Sequence, residues 1–397
     1  MLRACVNKLK CIAVSFSLTL FLFLSLIENV AAQSIDYAGF DFLVGKVISN
    51  YPAFPDIKNP SVFISGYAGK SLNGTKDWHR YYNFPDLGIK ITYGGFGDKA
   101  ILGKMFAVNP QLIFSQKLNN KLFVSEEVGL GLSYFTTHYN EATNPQNIAI
   151  GSHLTAFAAL GLKLNYKITE TLAASVSFNI LHSYNSHVAL PNVGLNTLAA
   201  GVGIRCLFGK KTVPVSLPLK PAFSKKIHLN INIGLGINEQ GSSTIAVNGP
   251  KYPIYMASLF FTKKLSYVNK LQLGIEGYFN TGVNDFIVSQ NLYFDDQKKK
   301  SYAGYIFAGD EFLLHHFGIV GQLGFYVYNP FYRDQHNLYY DNNLVSYIKT
   351  SVVLKLGFNY YLRNPHLKDN NQLYLGSYVK TNFGQADFWE NCIGWQF

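Results

Sequence analysis

The sequence predicts an all-β fold: an antiparallel transmembrane β-barrel of the bacterial outer-membrane type, with about 14 strands (range about 12 to 16). Three observations support it: an export signal, no long apolar run after that signal, and apolar–polar alternation over membrane-spanning lengths. Composition agrees. The 397 residues are 48% hydrophobic and 15% aromatic but only 14% charged, whereas soluble proteins carry about 25% charged residues.

The first 32 residues are predicted to be a cleaved signal peptide. Arg3, Lys8 and Lys10 form a basic region, and the apolar stretch 11–27 follows it. After residue 32 no stretch has the roughly 18 continuous apolar residues that a transmembrane helix needs. The mature chain is therefore expected to be exported and to cross a membrane with strands.

Export and cysteine content argue against two classes of protein, nucleic-acid-binding proteins and disulfide-built scaffolds. Cleavage removes three basic residues and one acidic residue, which takes the formal net charge from +11 to +9. Nucleic acid is an improbable partner for an exported chain, so this excess suits anionic surfaces or lipid phosphates, with simple solubility as the competing explanation. The mature chain keeps only Cys206 and Cys392, which rules out a disulfide-built scaffold.

Alternation along the chain matches strands with one face in lipid and one in a polar interior. Apolar residues occupy every second position in 227–237 and again in 352–362. The last strand places Trp389, Ile393 and Trp395 on one face with the terminal Phe397. A terminal aromatic of this kind resembles the recognition signal of bacterial outer-membrane barrels.

Connection lengths orient the strands, because such barrels have short periplasmic turns and longer outer loops. The short segments are 117–121, 167–170, 266–270 and 314–316, and the long segments are 137–149, 238–250, 281–301 and 329–344. The long connection 209–224 falls on the short-turn side. It indicates either a periplasmic loop or the seam between two halves.

These boundaries divide the chain into three parts. Residues 1–32 are the signal peptide, and residues 33–86 are expected to be an N-terminal arm or plug, with a possible extra strand at 61–69. Residues 87–397 are expected to form the barrel, in the bacterial outer membrane after export.

One predicted hairpin carries a pair of polar residues that faces outward. In the strand ending "NILHSY", the lipid-facing register Val176, Phe178, Ile180 continues to His182 and Tyr184, while Ser183 faces the interior. If the hairpin is symmetric about Ala189, His182 lies opposite Asn196. A polar pair on a lipid-facing wall is unfavourable unless it serves a function.

The same hairpin carries a family resemblance. His182, Asn185, Pro191, Asn192 and Gly194 resemble the signature of PagL-type lipid A 3-O-deacylases, also described as acyloxyacyl hydrolases. The segments 78–89 and 144–153 and the closing "KTNFGQADFW" are similar to the longer branch of this family.

The resemblance implies an esterase site on the outside of the barrel. In this family a histidine is the general base, a serine two residues later attacks an ester-linked acyl chain of lipid A, and an acidic residue orients the histidine. His182 matches the base. Tyr184 stands at the serine position, and Asn196 stands at the acidic position.

These departures leave the nucleophile open. We expect His182, Ser183 and Asn196 to be catalytic, with Ser183 turned outward by a β-bulge, and Ser186 as the alternative nucleophile. Asparagine can orient a catalytic histidine, so Asn196 is compatible with activity. We expect Asn185, Asn192 and Gly194 to bind substrate.

The predicted partners are lipid A, or lipopolysaccharide, and the outer membrane. His182 and His187 have no third ligand at convincing spacing, so no metal and no cofactor are expected. The alternative function is a catalytically inactive family member that serves as a structural barrel or a passive channel. Fold alone does not decide between these functions.

Overall fold

The structure, a computed structural model, describes residues 35–49, 51–72, 74, 76–208, 223–339, 344–366, 371–382 and 386–397. The predicted signal peptide lies outside these residues. The described chain forms two closed antiparallel barrels of eight strands each. The prediction of an all-β antiparallel barrel fold is confirmed, but the prediction of a single barrel of about 14 strands is wrong.

The first barrel contains strands β1 to β8 and one short helix, and the second contains β9 to β16 and four helices in its loops. The elements are β1 (Tyr37–Ile48), β2 (Ser61–Ser71), α1 (Asp77–Tyr81), β3 (Asp86–Gly95), β4 (Lys104–Lys117), β5 (Leu122–Phe135), β6 (Leu154–Lys167), β7 (Leu172–Tyr184), β8 (Leu195–Leu207), β9 (Ile227–Glu239), β10 (Lys251–Lys264), β11 (Asn269–Asn280), α2 (Thr281–Ser289), α3 (Gln297–Lys300), β12 (Tyr302–Leu314), β13 (Phe317–Tyr328), α4 (Pro330–Tyr339), α5 (Leu344–Ser351), β14 (Val352–Tyr361), β15 (Gln372–Thr381) and β16 (Ala386–Gln396).

Closure of the first barrel depends on β1, which pairs with β2 on one side and with β8 on the other. Its register with β8 runs from Tyr37 opposite Leu207 to Ile48 opposite Asn196. The region 33–86, expected as an arm or plug, thus supplies two barrel strands. The 14 strands counted from residue 87 exist, but six of them close with β1 and β2 and eight close separately.

The seam between the barrels falls at the long connection identified in the sequence. The first barrel ends at Leu207 and the second begins at Ile227. Most of the intervening segment lies outside the described residues. In the second barrel β9 closes the ring by pairing with both β10 and β16.

Strand alternation places apolar side chains outward and polar ones in the lumen, as predicted. In β9 the outward Ile233 is 69% exposed, whereas the inward Asn230 is 1% exposed. Trp395 and Phe397 at the end of the chain also face outward. Among the helices of the described residues, none is both long and apolar enough to span a membrane.

The lumen of the first barrel is filled by a ring of four alternating charges. Lys90 lies 2.8 Å from Asp41 and 3.1 Å from Glu127, and Lys163 lies 2.9 Å and 2.8 Å from the same two carboxylates. A cavity beside this ring, lined in part by Lys90 and Glu127, measures about 10 Å³. An eight-stranded barrel leaves room for side chains but not for an aqueous channel.

The second lumen follows the same plan. Lys355 pairs with Glu276 at 2.6 Å and also with Glu390, while Lys270 pairs with Glu311 at 2.7 Å. Buried charges require such partners because an unpaired one is costly to desolvate.

Four long connections lie at one end of the molecule, called here the long-loop end. They are 136–153, 240–250, 281–301 and 329–351, each following an odd-numbered strand. The loops after β7 and β9 contact each other there, so both barrels point their long loops the same way. This arrangement agrees with the alternation of loop lengths in the sequence.

We predict that Lys163→Met destabilises the first barrel by about 3–5 kcal/mol, because it leaves Asp41 and Glu127 with one shared cation instead of two. The urea midpoint of the protein in detergent micelles measures the loss. Lys117→Met, at an exposed position, is the control. Equal midpoints for the two variants would contradict the importance of the ring.

Candidate functional site on the outer wall of the first barrel

His182 and Asn196 form the predicted polar pair on the outer wall. They are register partners in β7 and β8, and His182 Nδ1 lies 2.7 Å from Asn196 Oδ1. Because an amide oxygen only accepts, Nδ1–H donates and Nε2 is left free to accept a proton. The pair lies near the long-loop end, two residues before β7 ends at Tyr184.

Tyr184 and Gly194 complete the surroundings of the histidine ring. The Tyr184 ring stacks on His182 with centroids 5.8 Å apart and planes 18° apart. Gly194 has φ +77, and a Cβ there would lie 3.2 Å from the Tyr184 ring and 3.3 Å from the His182 ring. Glycine is thus needed for both its backbone conformation and its lack of a side chain.

Ser183 is not brought to His182. It is 3% exposed, and its hydroxyl lies in the lumen, 3.2 Å from Ser133 Oγ and 3.7 Å from Met105 Sδ. Strand β7 pairs with β6 and with β8 without a shift of register through His182 and Ser183. The bulge that would have turned Ser183 outward is absent from this described hairpin, because continuous pairing on both sides fixes side-chain parity.

Ser186 lies in a tight turn immediately after β7. The turn is closed by a hydrogen bond from Val188 N to Asn185 O, at 3.2 Å. Ser186 and His187 both have positive φ, +54 and +63, a backbone conformation that concentrates at functional sites. Ser186 is fully buried, and its hydroxyl has no hydrogen-bond partner among the described residues.

The predicted substrate-binding residues build the loop between β7 and β8. Asn185 Nδ2 donates to Ala189 O at 2.8 Å and to Ser152 Oγ at 3.1 Å. Asn192 Oδ1 accepts from Asn185 N at 3.3 Å. In the described structure Asn185 Oδ1 and Asn192 Nδ2 are buried without a hydrogen-bond partner.

Reasoning from the sequence missed the contribution of the second barrel. Glu239, at the end of β9, accepts a hydrogen bond from Leu190 N at 2.7 Å. Ser243 O accepts from Asn192 N at 2.7 Å. Nothing in the sequence pattern signals these contacts, since they depend on how two separate barrels meet.

We predict that Gly194→Ala destabilises this hairpin by about 1–2 kcal/mol, because alanine at positive φ is strained and its methyl group meets both rings. Thermal unfolding followed by circular dichroism measures the loss. Gly66→Ala is the matched control, since a Cβ at Gly66 meets nothing within 4 Å. A loss no greater than in the control would contradict the close packing around His182.

Two family models match the chain. Residues 66–205 match "Lipid A 3-O-deacylase (PagL)", and residues 226–397 match "Acyloxyacyl hydrolase, C-terminal domain". The first segment runs from the middle of β2 to near the end of β8 and leaves out β1, and the second segment covers all of the second barrel. No curated protein matches the chain.

Three solved structures resemble the chain at low sequence identity. The outer membrane enzyme PagL is 15% identical, covers 42% of this chain and 97% of its own, and has a TM-score of 0.29. Neisserial surface protein A is 11% identical with coverages of 44% and 100% and a TM-score of 0.31. The β domain of the Bordetella autotransporter BrkA is 10% identical with coverages of 92% and 99% and a TM-score of 0.24. On its two family matches, the chain belongs to the PagL-type family of lipid A deacylases and acyloxyacyl hydrolases.

Proposed function

We propose that this protein is an outer-membrane lipid A deacylase that hydrolyses an ester-linked acyl chain at the outer wall of its first barrel. The observation that carries the proposal is the His182–Asn196 pair, which lies outward within the segment that matches the lipid A 3-O-deacylase model. Lipid A in the outer leaflet would reach this wall from the membrane side.

In the proposed reaction His182 is the general base and Asn196 fixes its tautomer. Ser186 Oγ forms a bond to the acyl carbonyl carbon and gives its proton to His182 Nε2. The bond from that carbon to the sugar oxygen breaks, and the leaving oxygen takes the proton. Water then hydrolyses the acyl–serine ester, which regenerates Ser186.

Ser186 is preferred over Ser183 because of where each hydroxyl lies. Ser183 is bonded inside the lumen, on the opposite face of β7 from His182. The Ser186 hydroxyl is unpartnered in a strained turn that follows the same strand. Since Ser186 is covered, the proposal requires the turn 185–188 to move when lipid A binds.

A second candidate is a family member that binds lipid A without hydrolysing it. Its support is Tyr184, which occupies the position two residues after His182 and stacks on the imidazole, where a same-face serine would otherwise lie. The passive-channel alternative has less support, because ion pairs fill the lumen of each barrel.

We predict that expression in a Gram-negative host removes one acyl chain from lipid A, detected by mass spectrometry. His182→Ala and Ser186→Ala should each reduce this loss by at least about 100-fold, since they remove the base and the nucleophile. Ser183→Ala is the matched control and should retain activity within about threefold, because only a lumen contact is lost.

Heat-modifiable migration in SDS gels shows that each variant is folded. Unaltered lipid A with a correctly inserted wild-type barrel would contradict deacylation and favour the non-catalytic candidate. Activity that survives Ser186→Ala but not Ser183→Ala would reverse the assignment of the nucleophile.

A further inference from the structure

The loop between β7 and β8 is held from outside by the second barrel. Glu239 N donates to His187 O at 2.8 Å, and Asn192 N donates to Ser243 O at 2.7 Å. His187 Nε2 lies 3.3 Å from Gly241 O. The tip of the loop is therefore bonded to the loop after β9 through several backbone groups.

The Glu239 carboxylate is the centre of this contact. It is 1% exposed and joins three donors: Leu190 N at 2.7 Å and Lys251 Nζ at 2.9 Å to Oε2, and Gly249 N at 2.6 Å to Oε1. Hydrogen bonds to a buried carboxylate are stronger than neutral ones. The Glu239 side chain thus connects the loop between β7 and β8 of the first barrel to strand β10 of the second barrel.

The contact continues inward to the candidate site. Asn192, bonded to Ser243 through its backbone N–H, accepts from Asn185 N through its side chain. Asn185 directly follows Tyr184, whose ring stacks on His182. A chain of direct contacts therefore links the second barrel to the histidine and to the turn that carries Ser186.

We infer that Glu239 is a positioning residue for the site on the first barrel, so that the second barrel completes that site. Its catalytic consequence rests on the proposed deacylase function, while its effect on the loop does not. Glu239 bonds to His187 and Leu190, and Ser243 bonds to Asn192. These bonds hold the segment 187–192 in one conformation. The movement that uncovers Ser186 when lipid A binds is thereby confined to the start of the turn, next to Tyr184 and His182.

The test measures exposure of the loop by thiol labelling in the full chain. Cys206 and Cys392 are free, and Cys5 and Cys11 lie in the predicted signal peptide. Cys206→Ser and Cys392→Ser therefore give the background in the exported protein, and Val188→Cys places a reporter thiol in the half-buried loop. We predict that Glu239→Ala speeds maleimide labelling by about tenfold, because buried donors lose their acceptor. Glu239→Gln, which keeps an acceptor oxygen, should have a smaller effect.

Glu311→Gln is the matched control, because Glu311 is a buried carboxylate of the same barrel that pairs with Lys270 in the lumen. It should leave labelling unchanged. Where lipid A is deacylated, Glu239→Ala should lower kcat by about tenfold and change KM less than about twofold, and Glu239→Gln should restore part of the rate.

The two possible failures are distinguishable. Labelling in Glu239→Ala equal to that in the Glu311→Gln control overturns the positioning role, whatever the activity. Faster labelling without any wild-type deacylation upholds the loop contact and contradicts the proposed function. A rise in KM with unchanged kcat overturns the catalytic part of the inference, because it assigns Glu239 to substrate binding.

Discussion

Closure at eight strands is the constraint on which the rest of this structure depends. A barrel of this size encloses only enough space for its own side chains, so charged groups that point inward must pair with one another. The first barrel meets this requirement with the ring of Asp41, Lys90, Glu127 and Lys163. With the lumen filled in this way, the outer wall and the loops are the surfaces that can meet a ligand.

Strand parity then decides what the outer wall can do. His182 and Asn196 lie outward on paired strands, whereas Ser183 lies in the lumen. The pairing of β7 with neighbours on both sides leaves no freedom to exchange these faces. In the proposed reaction the serine therefore comes from beyond the end of β7, where the chain turns and parity no longer applies.

Much of this arrangement could be predicted from the sequence because it depends on local periodicity. Alternation identified the strands, and counting along the hairpin placed His182 opposite Asn196. The number of barrels could not be predicted this way, since strands of an eight-stranded and a larger barrel alternate alike. The role of β1 could not be predicted either, because its pairing with β8 joins residues as far apart in the chain as Tyr37 and Leu207. The hydrogen bond that Leu190 N donates to Glu239 depends on the packing of two barrels, which no periodicity encodes.

Modification of Ser186 by a long-chain alkyl fluorophosphonate tests most directly whether His182 activates Ser186, because this reagent reacts with serines that a neighbouring base activates. Peptide mapping by mass spectrometry locates the adduct. We predict an adduct on Ser186 in the wild-type protein and its loss in His182→Ala. An adduct on a different serine, or none in a protein that deacylates lipid A, would contradict the assignment of His182 and Ser186 as base and nucleophile.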